Sequence, residues 1–363
     1  MIAGALRGLR DRFLGRGEAA ITVPPMDGAL KPNNRLDEAA VVAELDAPED
    51  LAGDGKALFI ADGARILRLE RGGPVEVAVF DRPITALACL SGGRFAAALA
   101  GREVRVLRGA ETLRSWMGAA GQPFVSVNAL APAPDGRLLV TEGSQRQPYE
   151  RWAHDLMELG GSGRLLALDA ATGDAQAIAT DLAYAFGVCA VAGGAYVSES
   201  WRHRVRHFGD GRAVLDRLPA YPSRIAAAAG GGFWLTAFTA RSQLVEFVLR
   251  EPAYRRRMMR EIEPRYWVAP ALASGATYLE PMQGGHIKTM GILKPWAPPR
   301  SYGLVIRLTP EGLPRYSLHS RVAGRHHGVV AAVELGGDLF VLAKGCRRLL
   351  RLSLAAIETE FGR

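Results

Sequence analysis

The sequence is poor in the residues and runs that would assign it to several common classes of protein. Only three cysteines occur in 363 residues, Cys89, Cys189 and Cys346, and no two of them form a CxxC pair. Neither a disulfide framework nor a zinc site of that type is therefore expected, and a reducing compartment fits. No apolar run reaches the ~18 residues of a membrane span, and the first residues lack the apolar stretch of a secretory signal. We expect a cytoplasmic protein.

The charge is positive but not concentrated. Lys+Arg total 45 against 37 Asp+Glu, a net charge of +8, and the excess, nearly all arginine, is spread along the chain. Nucleic-acid binding needs a concentrated basic face, so no nucleic-acid partner is expected. Ser144 and Ser198 lack the G-x-S-x-G context of a hydrolase nucleophile. No glycine-rich phosphate loop is found either, so nucleotide-dependent chemistry is not expected.

The N-terminus has a helical pattern. Ile2, Leu6, Leu9 and Phe13 form an apolar stripe, while arginines occupy other positions between residues 2 and 16. Such a helix either lies across the domain, the interpretation we favour, or contacts a membrane surface. We expect residues 1–40 to form this helix and an extended arm.

The rest of the chain repeats one unit, in which two short apolar runs flank a glycine-containing turn and a third run often follows. This pattern is typical of β-hairpins. Periods near 40–50 residues with several strands per unit favour a β-propeller. We predict an all-β domain over residues 41–363, a six-bladed β-propeller. Its units lie at 50–69, 84–107, 128–144, 187–208, 224–238 and 328–352.

A long insertion, residues 241–300, precedes the last unit. It begins with a helical pattern and continues rich in proline, glycine and tryptophan. Long excursions from a regular scaffold are commonly lids or rim loops, so a lid-like insertion is expected here.

The register of the repeat places one residue of each unit at the entry to its first strand. Because the innermost strands of a propeller line the channel, these positions should form a ring around one mouth. Most of them are polar, which is typical of a binding pocket rather than of a buried strand. The predicted ring consists of Glu49, Thr85, Asn128, Phe186, Arg224 and His327.

Several segments resemble the strictosidine synthase-like branch of six-bladed propellers, which is related to the gluconolactonase/senescence-marker and paraoxonase enzymes. The resemblance covers about residues 45–355. It is most specific in APEDLAGDGKALFIADGARILRL (47–69), GSGRLLALDAATGDAQAIATDLAYAFGVCAV (161–191), SESWRHRVRHF (198–208) and LPAYPSRIAAAAGGGFWLTAF (218–238).

The resemblance implies a divalent-metal site in some relatives, and this chain departs from it. Glu49 and Asn128 match two of the ligands and would hold a metal such as calcium if one bound. Phe186 replaces a ligand asparagine, and Ser223–Arg224 replaces an Asp-Asn pair. Two ligands are too few for a hard cation, and an arginine brings a fixed positive charge. No cofactor is therefore expected, and Arg224 is expected to pair with Glu49 instead.

Strictosidine synthase itself lacks these metal ligands. The resemblance implies an amine–aldehyde condensation that uses a glutamate in the last blade. Here Gly328, within 324–337, stands at that position. The condensing reaction is therefore disfavoured.

Other side chains could carry chemistry. His326 and His327 are adjacent, so on a strand only one can face the channel, and His327 is favoured; alternatively both bond to loops. Tyr149 lies in a segment that similar proteins place at the pocket rim. Glu142 and Glu199 either carry protons or bond to backbone and arginine.

Two hypotheses follow. In the first, the protein is a metal-independent enzyme that hydrolyses a lactone or ester of a small organic molecule at the channel mouth. His327 would activate water, Arg224 would stabilise the oxyanion, and Glu49 completes the catalytic set. The predicted substrate-binding residues are Asn128, Thr85, Phe186, His326 and Tyr149. In the second, the propeller binds a ligand or a protein without catalysis.

Overall fold

Six four-stranded antiparallel sheets form the body of the described part of the chain. The computed structural model describes residues 23–109, 111–210, 212–273, 288–289, 292–293 and 301–361. The first strand of each sheet contacts the first strands of the two neighbouring sheets, which closes a ring of six inner strands around a channel. The predicted six-bladed β-propeller is thereby confirmed. The predicted helix within residues 2–16 lies outside the described residues.

The chain enters the propeller through β1 (Ala40–Glu44) and then builds the blades in order. The first blade contains β2 (Pro48–Gly53), β3 (Leu58–Asp62), β4 (Arg65–Glu70) and β5 (Gly73–Val79). The second contains β6 (Ile84–Leu90), β7 (Arg94–Leu99), β8 (Glu103–Arg108) and β9 (Glu111–Trp116). A small hairpin, β10 (Gly118–Ala119) and β11 (Gln122–Pro123), leads to the third blade. That blade contains β12 (Val127–Pro132), β13 (Leu138–Glu142), β14 (Gly163–Leu168) and β15 (Ala175–Leu182).

The remaining blades follow the same plan. The fourth contains β16 (Ala185–Val191), β17 (Gly194–Glu199), β18 (Arg204–Phe208) and β19 (Ala213–Leu215). The fifth contains β20 (Ala220–Ala227), β21 (Phe233–Ala240), β24 (Gly303–Leu308) and β25 (Pro314–Ser320), with a short pair, β22 (Lys288–Thr289) and β23 (Ile292–Leu293), inserted. The sixth contains β26 (Val329–Leu335), β27 (Asp338–Ala343) and β28 (Arg348–Ser353).

Helices are short. The α-helices are α1 (Trp152–Met157), α2 (Gln243–Arg250), α3 (Pro252–Glu261) and α4 (Leu354–Phe361). Single 3₁₀ turns occur at Gly28–Leu30, Tyr149–Arg151, Ser200–Arg202, Pro264–Tyr266 and Lys344–Cys346. No helix among the described residues is long and apolar enough to cross a membrane.

The two ends of the propeller sequence meet in one sheet. β1 pairs with β28 in antiparallel register, with Ala40 opposite Arg351 and Glu44 opposite Arg348. An N-terminal strand therefore completes the sixth blade as its outermost strand, and the hydrogen bonds between β1 and β28 join the two ends of the propeller sequence.

Every inner strand carries a β-bulge at the same place, where it pairs with the second strand of its blade. The extra residues are Glu49, Thr85, Asn128, Phe186 with Gly187, Ser223 with Arg224, and Val330. A bulge bends the strand and re-aims the side chain of the extra residue. Six equivalent bulges thus form the ring at one channel mouth, and in the sixth blade its member is Val330.

Three blades share an ion pair between a buried carboxylate at the end of the second strand and an arginine at the start of the third. The pairs are Asp62–Arg65, Glu142–Arg164 and Glu199–Arg204, with the two residues directly opposite in each sheet. Each carboxylate also accepts a backbone N–H from just before the inner strand, from Ala47, Val125 or Ala183. Two alternatives were open for Glu142 and Glu199, to carry protons or to bond to backbone and arginine. The structure shows the second.

The insertion leaves the fifth blade between β21 and β24. Its first described part, residues 241–273, is called the lid here. Side chains of the lid, Val245, Val248, Met258 and Trp267, belong to the same buried apolar cluster as Tyr184 and Phe238 of the propeller. The lid therefore covers one end of the channel.

A buried carboxylate anchors the first lid helix. Glu246 accepts from Arg241 Nε at 3.0 Å and lies 3.4 Å from His203 Nε2. Burial opposes its ionisation, but hydrogen bonds from His203 and Arg241 outweigh burial and lower the pKa of Glu246 to about 2. The root of the lid is thus tied to the fourth and fifth blades.

The Arg164–Glu142 pair provides a test of the buried ion pairs. Replacing Arg164 by Met should lower the free energy of unfolding by about 3–5 kcal/mol at pH 7, because it leaves the fully buried Glu142 carboxylate without its cation. Urea unfolding measures the loss. Arg137→Met, which removes an exposed pair with Asp135 in the same blade, should cost less than about 1 kcal/mol. Equal losses in the two variants would contradict the role given to Arg164.

Candidate active site

A recess of about 310 Å³, partly open to solvent, lies at the mouth of the channel beneath the lid. Its walls are mostly aromatic, and only one charged side chain reaches it. The lining consists of Tyr149, Trp152, Tyr184, Phe186, Trp201 and Phe238 together with Leu272, Val330 and Lys344. We call this recess the aromatic pocket.

The aromatic rings of the pocket hold one another in fixed orientations. Tyr184 stacks on Trp201 with ring centroids 4.3 Å apart, and Trp152 meets Phe238 edge-on at 5.5 Å. The indole Nε1 of Trp201 donates to Asp155 Oδ1 at 2.7 Å. Burial raises the pKa of Asp155, against the hydrogen bonds that it accepts from Ser144 and Trp201. Such walls suit a flat, apolar ring.

The polar end of the pocket is formed by Lys344 and Tyr149, which line it and which both bond to Glu49, a residue outside the lining. Lys344 Nζ donates to Glu49 Oε2 at 2.6 Å, and the Tyr149 hydroxyl donates to Glu49 Oε1. Burial and the adjacent Glu49 charge raise the pKa of Tyr149 well above its usual value. The Lys344 ammonium also lies 5.2 Å from the centre of the Tyr149 ring. A carboxylate, an ammonium and a phenol thus converge at one point, which we call the Glu49 cluster.

Arg224 lies below the pocket and spans the channel. Its guanidinium donates to the carbonyl oxygens of Glu49 at 3.0 Å, Thr85 at 2.8 Å and Asn128 at 2.8 Å. Its Nε lies 3.0 Å from Asp50 Oδ1, and its Cζ lies 5.3 Å from the centre of the Phe186 ring. The expected pair between Arg224 and the Glu49 carboxylate is wrong: Asp50 takes the arginine, and Lys344 takes Glu49.

Asp50 is the charge partner that the sequence did not reveal. It is buried beneath the ring, and it accepts from the backbone N–H groups of Leu51 at 2.8 Å and Leu87 at 2.9 Å. Burial raises the pKa of Asp50 to about 6, although the attraction of Arg224 acts in the opposite direction.

Thr85 and Asn128 lie at their predicted ring positions, but their side chains bind neighbouring strands. Thr85 Oγ1 donates to the Val127 carbonyl at 2.8 Å, and Asn128 Nδ2 donates to the Ala185 carbonyl at 2.9 Å. Both are buried, and neither lines the aromatic pocket. Each therefore connects one inner strand to the next around the ring. Of the other predicted substrate-binding residues, Phe186 and Tyr149 do line the pocket.

The predicted position of His327 in the ring is wrong, because Val330 stands at the sixth bulge. His327 Nδ1 bonds to Ser301 Oγ at 2.8 Å, and its Nε2 bonds to the Arg321 carbonyl at 2.8 Å. His326 Nδ1 donates to the Leu36 carbonyl at 2.7 Å. Both imidazoles are buried in loop contacts outside the pocket lining, so neither reaches a substrate there.

Gly328 has no room for a side chain. Its φ is +66°, and a Cβ atom would lie 2.5 Å from the Leu272 carbonyl oxygen of the lid and 2.8 Å from Gly345 N. A glutamate at this position, as the condensing reaction would require, is incompatible with the lid where it stands.

The residues present do not fit a divalent cation. The ring supplies one carboxylate, and an ammonium already occupies it at 2.6 Å. Among the described residues, no group of three or more His, Cys, Asp and Glu side chains is arranged to hold a metal ion. Glu49 and Asn128, the two matches to metal-binding relatives, are both engaged by protein groups.

Sequence comparison finds remote relatives. Adipocyte plasma membrane-associated protein of Bos taurus is 26% identical over 306 residues, which cover 70% of this chain and 73% of that protein. The protein of the same name from Salmo salar is 23% identical over 386 aligned residues, covering 93% of this chain and 83% of that protein. No protein-family model matches the sequence.

Solved structures share the fold. A gluconolactonase from Xanthomonas campestris superimposes with a TM-score of 0.55 at 14% identity, covering 92% of this chain and 98% of that one. Regucalcin from Agrobacterium tumefaciens, described as a calcium-binding protein, gives a TM-score of 0.53 at 10% identity over 86% of this chain and 92% of that one. At such identities the likeness is one of fold: a six-bladed propeller that resembles the gluconolactonase and regucalcin propellers.

Arg224→Met tests the guanidinium across the channel. The substitution leaves Asp50 buried without a cation, so at pH 7 it should lower the free energy of unfolding by at least about 3 kcal/mol. The folded-state pKa of Asp50, about 6, lies above its ordinary value of 3.8, so ionised Asp50 disfavours folding and stability falls as pH rises from about 4 to 6. Losing Arg224 raises that pKa further, so the loss should be larger at pH 7 than at pH 5.

Urea unfolding at both pH values measures this difference. Arg68→Met, which removes an exposed pair with Glu70, is the control and should change stability little at either pH. A loss from Arg224→Met that is the same at pH 5 and pH 7 would show that Asp50 is not the group that depends on it.

Proposed function

We propose that this protein hydrolyses a lactone or ester of a small, neutral, ring-bearing molecule in the aromatic pocket, without a metal ion. The observation that carries the proposal is the Glu49 cluster, in which a carboxylate, an ammonium and a phenol converge at the polar end of an apolar pocket. The remote likeness to gluconolactonase propellers and the resemblance to strictosidine synthase-like proteins support it.

The ion pairs beside the pocket favour a neutral substrate. Of the buried carboxylates near the pocket, Glu49 and Asp50 are each matched by one cation, Lys344 and Arg224, and Asp155 accepts a hydrogen bond from Trp201. A charged ligand would have to break one of these pairs. A neutral ligand instead places its rings against the aromatic walls and one polar group at the Glu49 cluster.

The cluster has the groups that ester hydrolysis needs. In the proposed reaction Glu49 accepts a proton from a water molecule as the water oxygen attacks the carbonyl carbon. The Lys344 ammonium donates a hydrogen bond to the carbonyl oxygen as negative charge develops on it. When the tetrahedral intermediate collapses, the C–O bond breaks and the leaving alkoxide takes back the proton from Glu49. Tyr149 stays protonated, since its pKa is raised, and positions the carboxylate.

The alternative is a propeller that binds its ligand without turnover. It is favoured by the fact that Arg224, Asn128 and Thr85 direct their polar groups to the protein's own backbone rather than into the pocket. The catalytic proposal therefore depends on the Glu49 cluster alone.

Hydrolysis of phenyl acetate and dihydrocoumarin, a neutral ester and a neutral lactone, tests the proposal. Glu49→Gln removes the base and Lys344→Met removes the cation, so each should lower kcat/KM by at least about 100-fold. Lys56→Met, on an exposed turn of the first blade, is the control and should keep wild-type activity. Prior treatment with a chelator should leave the rate unchanged.

Three outcomes would contradict the proposal. Quenching of tryptophan fluorescence by these compounds without any turnover would favour the binding alternative. Turnover that survives Glu49→Gln would remove the base assigned here. Loss of turnover after chelation, restored by calcium together with one bound ion per chain by elemental mass spectrometry, would make the reaction metal-dependent.

A further inference from the structure

We propose that a contact between the lid and a pair of glycines, Gly328 and Gly345, sets the length of the ligand that the aromatic pocket accepts. Leu272 is the one lining residue that comes from the lid. Its position therefore decides where the pocket ends. The proposal rests on the proposed function only in so far as the same pocket binds the ligand.

The lid backbone lies directly on the two glycines. A Cβ atom on Gly345 would lie 1.8 Å from the Leu272 carbonyl oxygen and 2.6 Å from its carbonyl carbon. A Cβ atom on Gly328 would lie 2.5 Å from the same oxygen. Distances under 3.0 Å are essentially never seen for real Cβ atoms, so no side chain can stand at either position while Leu272 keeps its place.

The requirement at Gly345 comes from space rather than from backbone conformation. Gly328 has a φ of +66°, which favours glycine in any surroundings, whereas Gly345 is not among the positive-φ residues. Alanine at position 345 is therefore excluded mainly by the neighbouring backbone, of which the Leu272 carbonyl is the nearest atom. Gly345 is also the residue after Lys344, so the lid contacts the chain immediately beside the Glu49 cluster.

The rest of the lid is fixed independently of this contact. Trp267 is fully buried, and its Nε1 donates to the Ile262 carbonyl at 2.8 Å. The Glu246 anchor holds the first lid helix. Displacing Leu272 should therefore move the end of the lid nearest Lys344 and lengthen the pocket, with the remaining lid contacts kept.

Two variants test this mechanism by different routes. Gly345→Ala pushes the Leu272 carbonyl away. Leu272→Ala removes the Leu272 side chain and leaves Gly328 and Gly345 unchanged. Gly230→Ala is the matched control, because a Cβ atom there meets nothing within 4 Å and its φ is not positive. The probes are phenyl acetate, butyrate and hexanoate for turnover, and acetophenone, butyrophenone and hexanophenone for binding by tryptophan fluorescence.

Wild-type protein and Gly230→Ala should favour the shortest probe. Both Leu272→Ala and Gly345→Ala should shift the preference toward the hexyl-length probes by at least about tenfold, because added methylenes find space only when Leu272 is gone or displaced. The ketones cannot be hydrolysed, so a shift seen in binding without turnover supports the lid contact even if the proposed function fails. Unchanged length preference in folded Leu272→Ala would overturn the proposal, and a shift in Leu272→Ala but not in folded Gly345→Ala would overturn the role of the glycines.

Discussion

A guanidinium buried in a protein channel must find acceptors for its N–H groups and a counter-charge, since either left unmet costs several kcal/mol. The terminal nitrogens of Arg224 donate to carbonyl oxygens of the first, second and third inner strands, and the Asp50 carboxylate supplies the counter-charge, while the arginine Nε makes no hydrogen bond within the described residues. These acceptors are free because each belongs to or adjoins a bulge, where the regular pairing of the blade is interrupted. The bulges of the first three blades and the arginine thus depend on one another.

This arrangement decides where chemistry can take place. Arg224 is bonded to backbone carbonyls and paired with Asp50. The charged side chain that a ligand can reach in the pocket is therefore Lys344, which bonds to Glu49. The side chains of Thr85 and Asn128, two other members of the ring, connect one inner strand to the next. The channel therefore has a structural floor and a separate polar cluster facing the aromatic pocket, and only the second is open to a substrate.

The periodic features of this structure could be predicted from sequence, and the contacts between distant segments could not. The register of the repeat placed five of the six predicted ring residues at the bulges, because each unit has its first strand and its glycine-containing turn in the same order. The prediction failed at His327, where the bulge lies three residues further on, at Val330. Lys344 was missed because it follows a second strand and its partner Glu49 lies 295 positions earlier in the chain. Asp50 was not predicted, because it directly follows a ring residue and adjacent side chains on a strand point to opposite faces.

The lid explains one departure from the resemblance to strictosidine synthase-like proteins. A carbonyl oxygen of the lid lies where a side chain at position 328 would begin, so an acidic residue there and the lid in its present position exclude each other. Glycine at position 328 is therefore needed for the lid to cover the pocket. Glycine at position 345 is needed for the same reason, because a Cβ atom there would also meet the Leu272 carbonyl oxygen. The carboxylate of the site comes instead from Glu49, on the first inner strand. Glu49 bonds to Lys344, the residue just before Gly345. The lid contacts Gly345, and the Glu49 carboxylate bonds to Lys344. The contact that covers the pocket and the bond at its polar end therefore involve two consecutive residues of one 3₁₀ turn.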